Sequence, residues 1–230
     1  MSDLRWLPFL LQTSDALFPT GAYAHSLGFE EMVRLGVVRD EATLSDFLHQ
    51  QLLPSLETLE LPYLRYAFEA ADLPALLTID HEIHAWKIAA ETRDASMQLG
   101  IRRLKALEAL QSIHQSPLLE DFSAALRENR AAGHHLIVCA LQARVESIPR
   151  EAALTLYAYQ SLAACCGAAL KLVRIGQDAC QRALRNASTH LSETVTASMH
   201  VERENAGSFN PLLEIASMRH HFARERLFIS

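Results

Sequence analysis

Glycine and proline are scarce in this chain, eight of each in 230 residues. Most of them sit at the edges of stretches rich in good helix formers, where they act as boundaries. Alternation of apolar and polar residues is nearly absent; Val37-Val38-Arg39 is too short to make a strand. Together these scarcities exclude a sheet-based organisation and predict an all-α bundle of roughly eight to eleven helices. A basic excess is also missing. Lys and Arg number 21 against 27 Asp and Glu, a formal charge of -6, which argues against a nucleic-acid binder and leaves room only for a local basic patch. The four cysteines, Cys139, Cys165, Cys166 and Cys180, form no C-x-x-C. They read as small, buried, reduced residues of a cytoplasmic protein. The opening Met1–Arg5 has no basic n-region ahead of an apolar h-region, which supports the same expectation. No Pro/Gly/Ser-rich linker divides residues 1–230, so one domain is expected.

Catalytic signatures are missing as well. There is no G-x-x-x-x-G-K-[ST] to cradle phosphates and no G-x-S-x-G elbow. Eleven histidines invite a metal reading, but His81-Glu82-Ile83-His84 is one residue short of H-E-x-x-H. No Glu-x-x-His occurs, which removes the carboxylate di-metal bundle signature. His134-His135 and His220-His221 are adjacent pairs, whose side chains diverge by about 100° on a helix. Glu30 and Glu31 are helical neighbours and do not face one another. No catalytic, cofactor or metal residue is therefore assigned.

The longest uncharged run is Ala152 to Leu170. Its length touches the threshold for a membrane span, but alanine, Tyr157, Tyr159, Gln160 and Ser161 dilute it. It reads as the central helix of a bundle, with no membrane partner. Asp72-Leu73-Pro74 and Ser116-Pro117 read as helix starts, with a capping side chain just ahead of a first-turn proline. Pro54, Pro62, Gly133, Ile148-Pro149, Gly176, Ser188 and Asn210-Pro211 mark further junctions, and a break is expected near Arg93–Ser96.

Two dense signatures stand out. Ser14–Glu30 reads SDALFPTGAYAHSLGFE, and Pro211–Ser230 reads PLLEIASMRHHFARERLFIS. In the first, Phe18-Pro19-Thr20-Gly21 is a tight break followed by a short helix containing Gly28. A helical glycine costs about 1 kcal/mol against alanine, so Gly28 implies close approach by another backbone. In the second, Asn210 can cap, Pro211 fits the first turn, and Leu212, Ile215, Met218 and Phe222 follow at helical spacing. A chain that ends Leu227-Phe228-Ile229-Ser230 needs a cover for apolar residues, either its own body or another protein. Lys171 follows the uncharged run, with Arg174 three residues on. It is either an ordinary cation favoured by a helix C-terminus or a partner contact.

These blocks resemble the UreF family of urease accessory proteins. Ser14–Glu30 is similar to S-D-x-x-x-P-T-G-G-[FY]-x-H-S-x-G-[LF]-E, and the closing block to P-L-L-[DE]-I-x-x-M-R-H followed by R-L-F. Between them, Asp94–Gly100 (DASMQLG) and Ala168–Gln177 (AALKLVRIGQ) match family segments in the same order. Ala22 replaces the family's second glycine, and Val173 stands where many members have glycine.

The resemblance implies a non-enzymatic, all-helical, dimeric adaptor of urease maturation. It implies binding to a UreD/UreH-like accessory protein and to the GTPase UreG, delivery of nickel to apo-urease, and regulation of GTP hydrolysis. Residues expected at partner surfaces are Tyr23, His25, Ser26 and Glu30, then Lys171 and Arg174. In the segment of about 210–230 they are Pro211, Ile215, Met218, Arg219, His220, Arg224, Arg226, Leu227 and Phe228. His25 and Ser26 have a plainer reading, satisfying buried backbone groups, and the tail a plainer fate, docking on its own bundle. Two other functions remain open. One is an all-α metal-dependent hydrolase with His81 and His84 converging on carboxylates. The other is a GTPase activator supplying Arg174 or Arg219 in trans.

Overall fold

The computed structural model describes residues 4–15, 17–20, 28–110, 116–208, 210–220 and 227–228. Among them there is no strand. The order is α1 (Leu7–Ser14), α2 (Phe29–Arg34), α3 (Glu41–Phe47), α4 (Leu53–Ser55), α5 (Leu61–Glu69), α6 (Leu73–Trp86) and α7 (Ala90–Ala109). There follow α8 (Pro117–Arg127), α9 (His135–Val145), α10 (Arg150–Leu172), α11 (Gln177–Ser188), α12 (Leu191–Ser198) and α13 (Pro211–His220). Two π-helical stretches, Leu48–Leu52 and Leu56–Glu60, join α3, α4 and α5 into one unbroken helical path. Counted that way, the described residues hold eleven helices, within the expected range.

The π stretches answer a question posed by Pro54 and Pro62. A proline inside a helix lacks an N–H, and its ring collides with the carbonyl four residues back. Here the chain widens by one residue before each. Leu53 N–H donates to the Leu48 carbonyl and Leu61 N–H to the Leu56 carbonyl, both i→i−5. The helical path therefore bypasses the two expected junctions. The break expected near Arg93–Ser96 is also absent: α7 runs unbroken from Ala90, and the interruption lies at Lys87–Ala89. Ser96 does not compete for its own backbone, because its hydroxyl meets the His134 ring at 3.0 Å.

Other boundaries fall as expected. Asp72 caps α6, its carboxylate accepting from Ala75 N–H at 2.9 Å. Asn210 caps α13 by accepting from Leu213 N–H at 3.2 Å. Helix α10 is long and apolar enough to cross a membrane by length and composition. Its Leu154, Ala158, Leu162 and Ala169 are fully buried within the protein, as a core helix requires.

Two compact units are distinguished, each drawn from three stretches of chain. The first comprises Met1–Gly21, Tyr63–Lys87 and Ser96–Tyr157. Its core includes Leu76, Ile83, Leu107, Leu119, Phe122, Leu136 and Ile137. On α6 the buried stripe Leu76, Ile79, Asp80, Ile83 contains a carboxylate. Asp80 is wholly buried and accepts the N–H groups of Ala132, Gly133 and His134 at 2.6, 3.1 and 3.1 Å. His134, also wholly buried, adds a contact from its Nε2 to His84 Nδ1 at 3.2 Å. Gly133 takes φ +78 to make this turn. Gly100 lies so close that a Cβ there would stand 2.0 Å from the Gly133 carbonyl oxygen.

The second unit comprises Ala22–Pro62, Ile88–Ala95 and Ala158–Ser230. Phe29 and Phe47 meet edge to face, 5.3 Å between ring centres, beside Met32, Leu44 and Leu48. On α11, Cys180, Ala183, Leu184 and Ala187 form the buried face. All four cysteines are free thiols; Cys165, Cys166 and Cys180 are buried and Cys139 partly so. Burial pushes the Cys166 thiol up to about 12, and the other three rise for the same cause. None is poised as a thiolate.

Candidate interaction site

In the second unit, Gly28–Glu30 at the end of the first signature meet the described parts of the second. Gly28 takes φ +89 and caps the start of α2. A Cβ there would stand 2.3 Å from Ser217 Oγ and 3.4 Å from Ser217 Cα on α13. The left-handed φ itself calls for glycine, and what a Cβ would strike is the Ser217 hydroxyl rather than another backbone; the residue sits at a left-handed cap rather than inside a helix as expected.

Beyond the glycine, two adjacent carboxylates serve different partners. Glu31, with no side-chain exposure, accepts from Arg34 Nη2 at 2.7 Å and from Arg219 Nε at 3.0 Å. The Arg34 bond leads in holding its carboxyl below the usual range against the cost of burial, and Arg219 adds to it. Glu30 accepts from His220 Nε2 at 2.9 Å and from the backbone N–H groups of Leu227 and Phe228 at 2.8 and 3.1 Å. Burial raises the Glu30 pKa, but the Leu227 N–H, the His220 ring and the Phe228 N–H outweigh it, and the net shift is downward. The other ring nitrogen of His220 meets Glu91 Oε2 at 2.8 Å, so this buried imidazole bridges two carboxylates. Phe228, nearly fully buried, lies under Lys171, whose Nζ is 5.1 Å from the ring centre. Lys171 occupies the last turn of α10, in line with the helix C-terminal cation reading, and its exposed side chain lies against Phe228 of the tail. Arg174 is exposed and falls past the end of α10, so helical i+3 registry with Lys171 does not apply.

The apolar spacing left open whether the Leu212, Ile215 and Met218 face of α13 docks on its own bundle or awaits a partner. These residues are 42, 53 and 41% exposed, while Ala216, Ser217 and His220 are buried. The inward face is small and polar because Gly28 demands Ser217 at contact distance, and Glu30 and Glu91 hold His220. Leu227 is exposed too. Pro211 and Leu212 line a cleft of about 570 Å³ with Gln50, Gln51 and Pro54. Tyr23, His25, Ser26, Phe222, Arg224 and Arg226 lie outside the described residues.

Three residues of this site carried no signal of their own in the sequence: Glu91, Arg34 and Ser217. Among the described residues no group of three or more His, Cys, Asp or Glu is arranged to hold a metal ion. His81 bonds the Arg130 carbonyl through Nε2 at 3.1 Å, and His84 bonds His134, so the pair does not converge on carboxylates.

The UreF family profile covers residues 38–188, about two thirds of the chain. The chain belongs to the UreF family. It is 35% identical over 225 residues to the urease accessory protein UreF of Paenarthrobacter aurescens (strain TC1), covering 96% of each chain. To the UreF of Bacillus sp. (strain TB-90) it is 31% identical, covering 96% of this chain and 97% of the relative. To that of Haemophilus influenzae (strain PittEE) it is 29% identical over 231 residues. Membership in the UreF family carries the family's role in urease maturation. The profile begins after α2 and ends before α13, while these relatives align over 96% of the chain.

Glu30 holds the tail, which gives a direct expectation. Glu30→Gln removes the charge that three donors share, and a hydrogen bond to a charged group contributes about 1.5–3 kcal/mol. Carboxypeptidase should then digest the C-terminus roughly ten-fold faster or more than in the unaltered protein. The pH dependence follows from the lowered Glu30 pKa. Tail attachment is full above the unperturbed value of 4.5 and is lost as the pH falls through the depressed one.

Proposed function

We propose that this chain is a cytoplasmic, homodimeric adaptor in nickel insertion into apo-urease. It bridges a UreD/UreH-like accessory protein and a UreG-like GTPase and regulates that enzyme's GTP hydrolysis. One observation carries the reading: α13 turns Leu212, Ile215 and Met218 to solvent while polar contacts lock its opposite face inward. Exposed leucine, isoleucine and methionine at i, i+3 and i+6 suit insertion into a groove on a partner. Arg219 at the rim and Arg174 on the α10–α11 bend supply the cations such interfaces favour. Of the two arginines considered for a role in trans, Arg219 is engaged by Glu31, which favours Arg174 for the GTPase. The test is co-expression with the urease structural and accessory proteins. A complex containing this chain, the UreD-like protein and the GTPase should co-purify, and GTP turnover should change when the chain is added. Recovery of the chain alone, with turnover unchanged, would overturn the reading.

A further inference from the structure

A pair of histidines outside the α2–α13 contact lies ring beside ring, close enough to share one ligand. His49 lies in the π stretch Leu48–Leu52, and His190 lies at the turn before α12. Their ring centres are 4.9 Å apart, with the planes near perpendicular. Each ring is held by a carbonyl of its own helical segment. His49 Nδ1 meets the Ser45 carbonyl at 2.7 Å, and His190 Nδ1 meets the Asn186 carbonyl at 3.2 Å. A carbonyl only accepts, so each Nδ1 must carry its proton. Each Nε2 is then left with its lone pair. This is the tautomer and second-sphere contact that metal-bound histidines use.

The spacing fits one shared ion. A metal–nitrogen bond of about 2.0–2.1 Å, added to the ring radius, puts each ring centre about 3.2 Å from the ion. Two such rings at about 90–109° stand roughly 4.5–5.2 Å apart, a range that includes the observed separation. His190 is exposed and His49 partly so, which leaves a path for a hydrated ion. Exposed Asp46 and Glu193, each three residues from one of the histidines, add negative charge to this part of the surface.

We propose that His49 and His190 form a two-imidazole site for a borderline first-row divalent ion, with water in the remaining positions. Imidazole suits Ni²⁺, Cu²⁺ and Zn²⁺ and disfavours Mg²⁺ and Ca²⁺. Two protein ligands give an exchangeable site rather than a structural one. The inference stands independently of the adaptor reading.

The test is titration calorimetry of the tag-free full chain with NiCl₂, repeated with CuSO₄, ZnCl₂ and MgCl₂. One ion per chain should bind in the micromolar range, in the order Cu²⁺ above Ni²⁺ and with no response to Mg²⁺. His49→Gln and His190→Gln should each weaken Ni²⁺ about ten-fold or more, and the double variant should remove that site, with circular dichroism unchanged. Three results would overturn the pair: no binding by the unaltered chain at millimolar Ni²⁺, equal binding by the double variant, or loss in only one single variant.

Discussion

Ile215→Asp combined with Met218→Asp is expected to abolish capture of the UreD-like protein while leaving the fold intact. Both side chains are about half exposed on α13, so they contribute little to the core. Substitutions at such positions usually change stability by about 0.5 kcal/mol or less, and an acid in the last turn adds only a few tenths through the helix dipole. At an interface the effect is far larger. A buried anchor residue commonly contributes about 2 kcal/mol or more, and an unpaired carboxylate in its place adds a desolvation cost. Loss of affinity of about 100-fold or more is expected in a pull-down or by calorimetry. These variants are cleaner than removing residues 210–230. Truncation would take Arg219 and His220 away from Glu31 and Glu30 and uncover Gly28, confounding binding with folding. Capture at unaltered affinity by the double variant would show that α13's outer face is not the contact.

How α13 lies shows where sequence reasoning reaches and where it stops. Its start was legible, since Asn210 and Pro211 act locally through a cap and a fixed φ. The same holds for Asp72 at α6, whereas at α8 the boundary falls at Ser116-Pro117 with the first-turn proline but no bond from the Ser116 hydroxyl. Its orientation was not legible. Periodicity identifies a face but not what that face meets. Here the inward face is chosen by Gly28, Glu30 and Glu91, all more than a hundred residues away in sequence. Glu91 follows Ala89 and Ala90 in an ordinary helical sequence and gives no local hint of its role. Gly28 did give one, because a glycine among helix formers needs a reason, and the reasons are its left-handed φ and the Ser217 hydroxyl that a Cβ would strike. Pro54 and Pro62 misled in the opposite sense. Their chemistry was read correctly as disruptive, but the chain absorbs it by two π turns rather than by stopping. The resemblance connected the two ends of the chain to one family; spacing alone could not bring Glu30 to Phe228.

Asp80→Ala should be the most destabilising single change in the first unit. Asp80 is an acid in an apolar stripe, a placement that periodicity alone would count as an error. It persists because three successive backbone N–H groups, from Ala132, Gly133 and His134, converge on its two oxygens. That segment cannot form a helix-like ladder of its own at this point, since Gly133 is at φ +78. Without the carboxylate, buried donors lose their acceptor, each costing about 1–3 kcal/mol where water cannot reach. His134 would also lose the fixed backbone that aims its ring at Ser96 and His84. A total of about 3–5 kcal/mol is expected, after some relaxation of the loop. For a protein of this size that lowers the melting temperature by roughly 6–20 °C. Asp80→Asn keeps one oxygen but turns an NH₂ toward N–H donors, so it should recover only part of the loss. Thermal unfolding followed by circular dichroism measures both. A shift under a few degrees for Asp80→Ala would mean that solvent can satisfy the 132–134 turn and that the buried carboxylate is not what holds it.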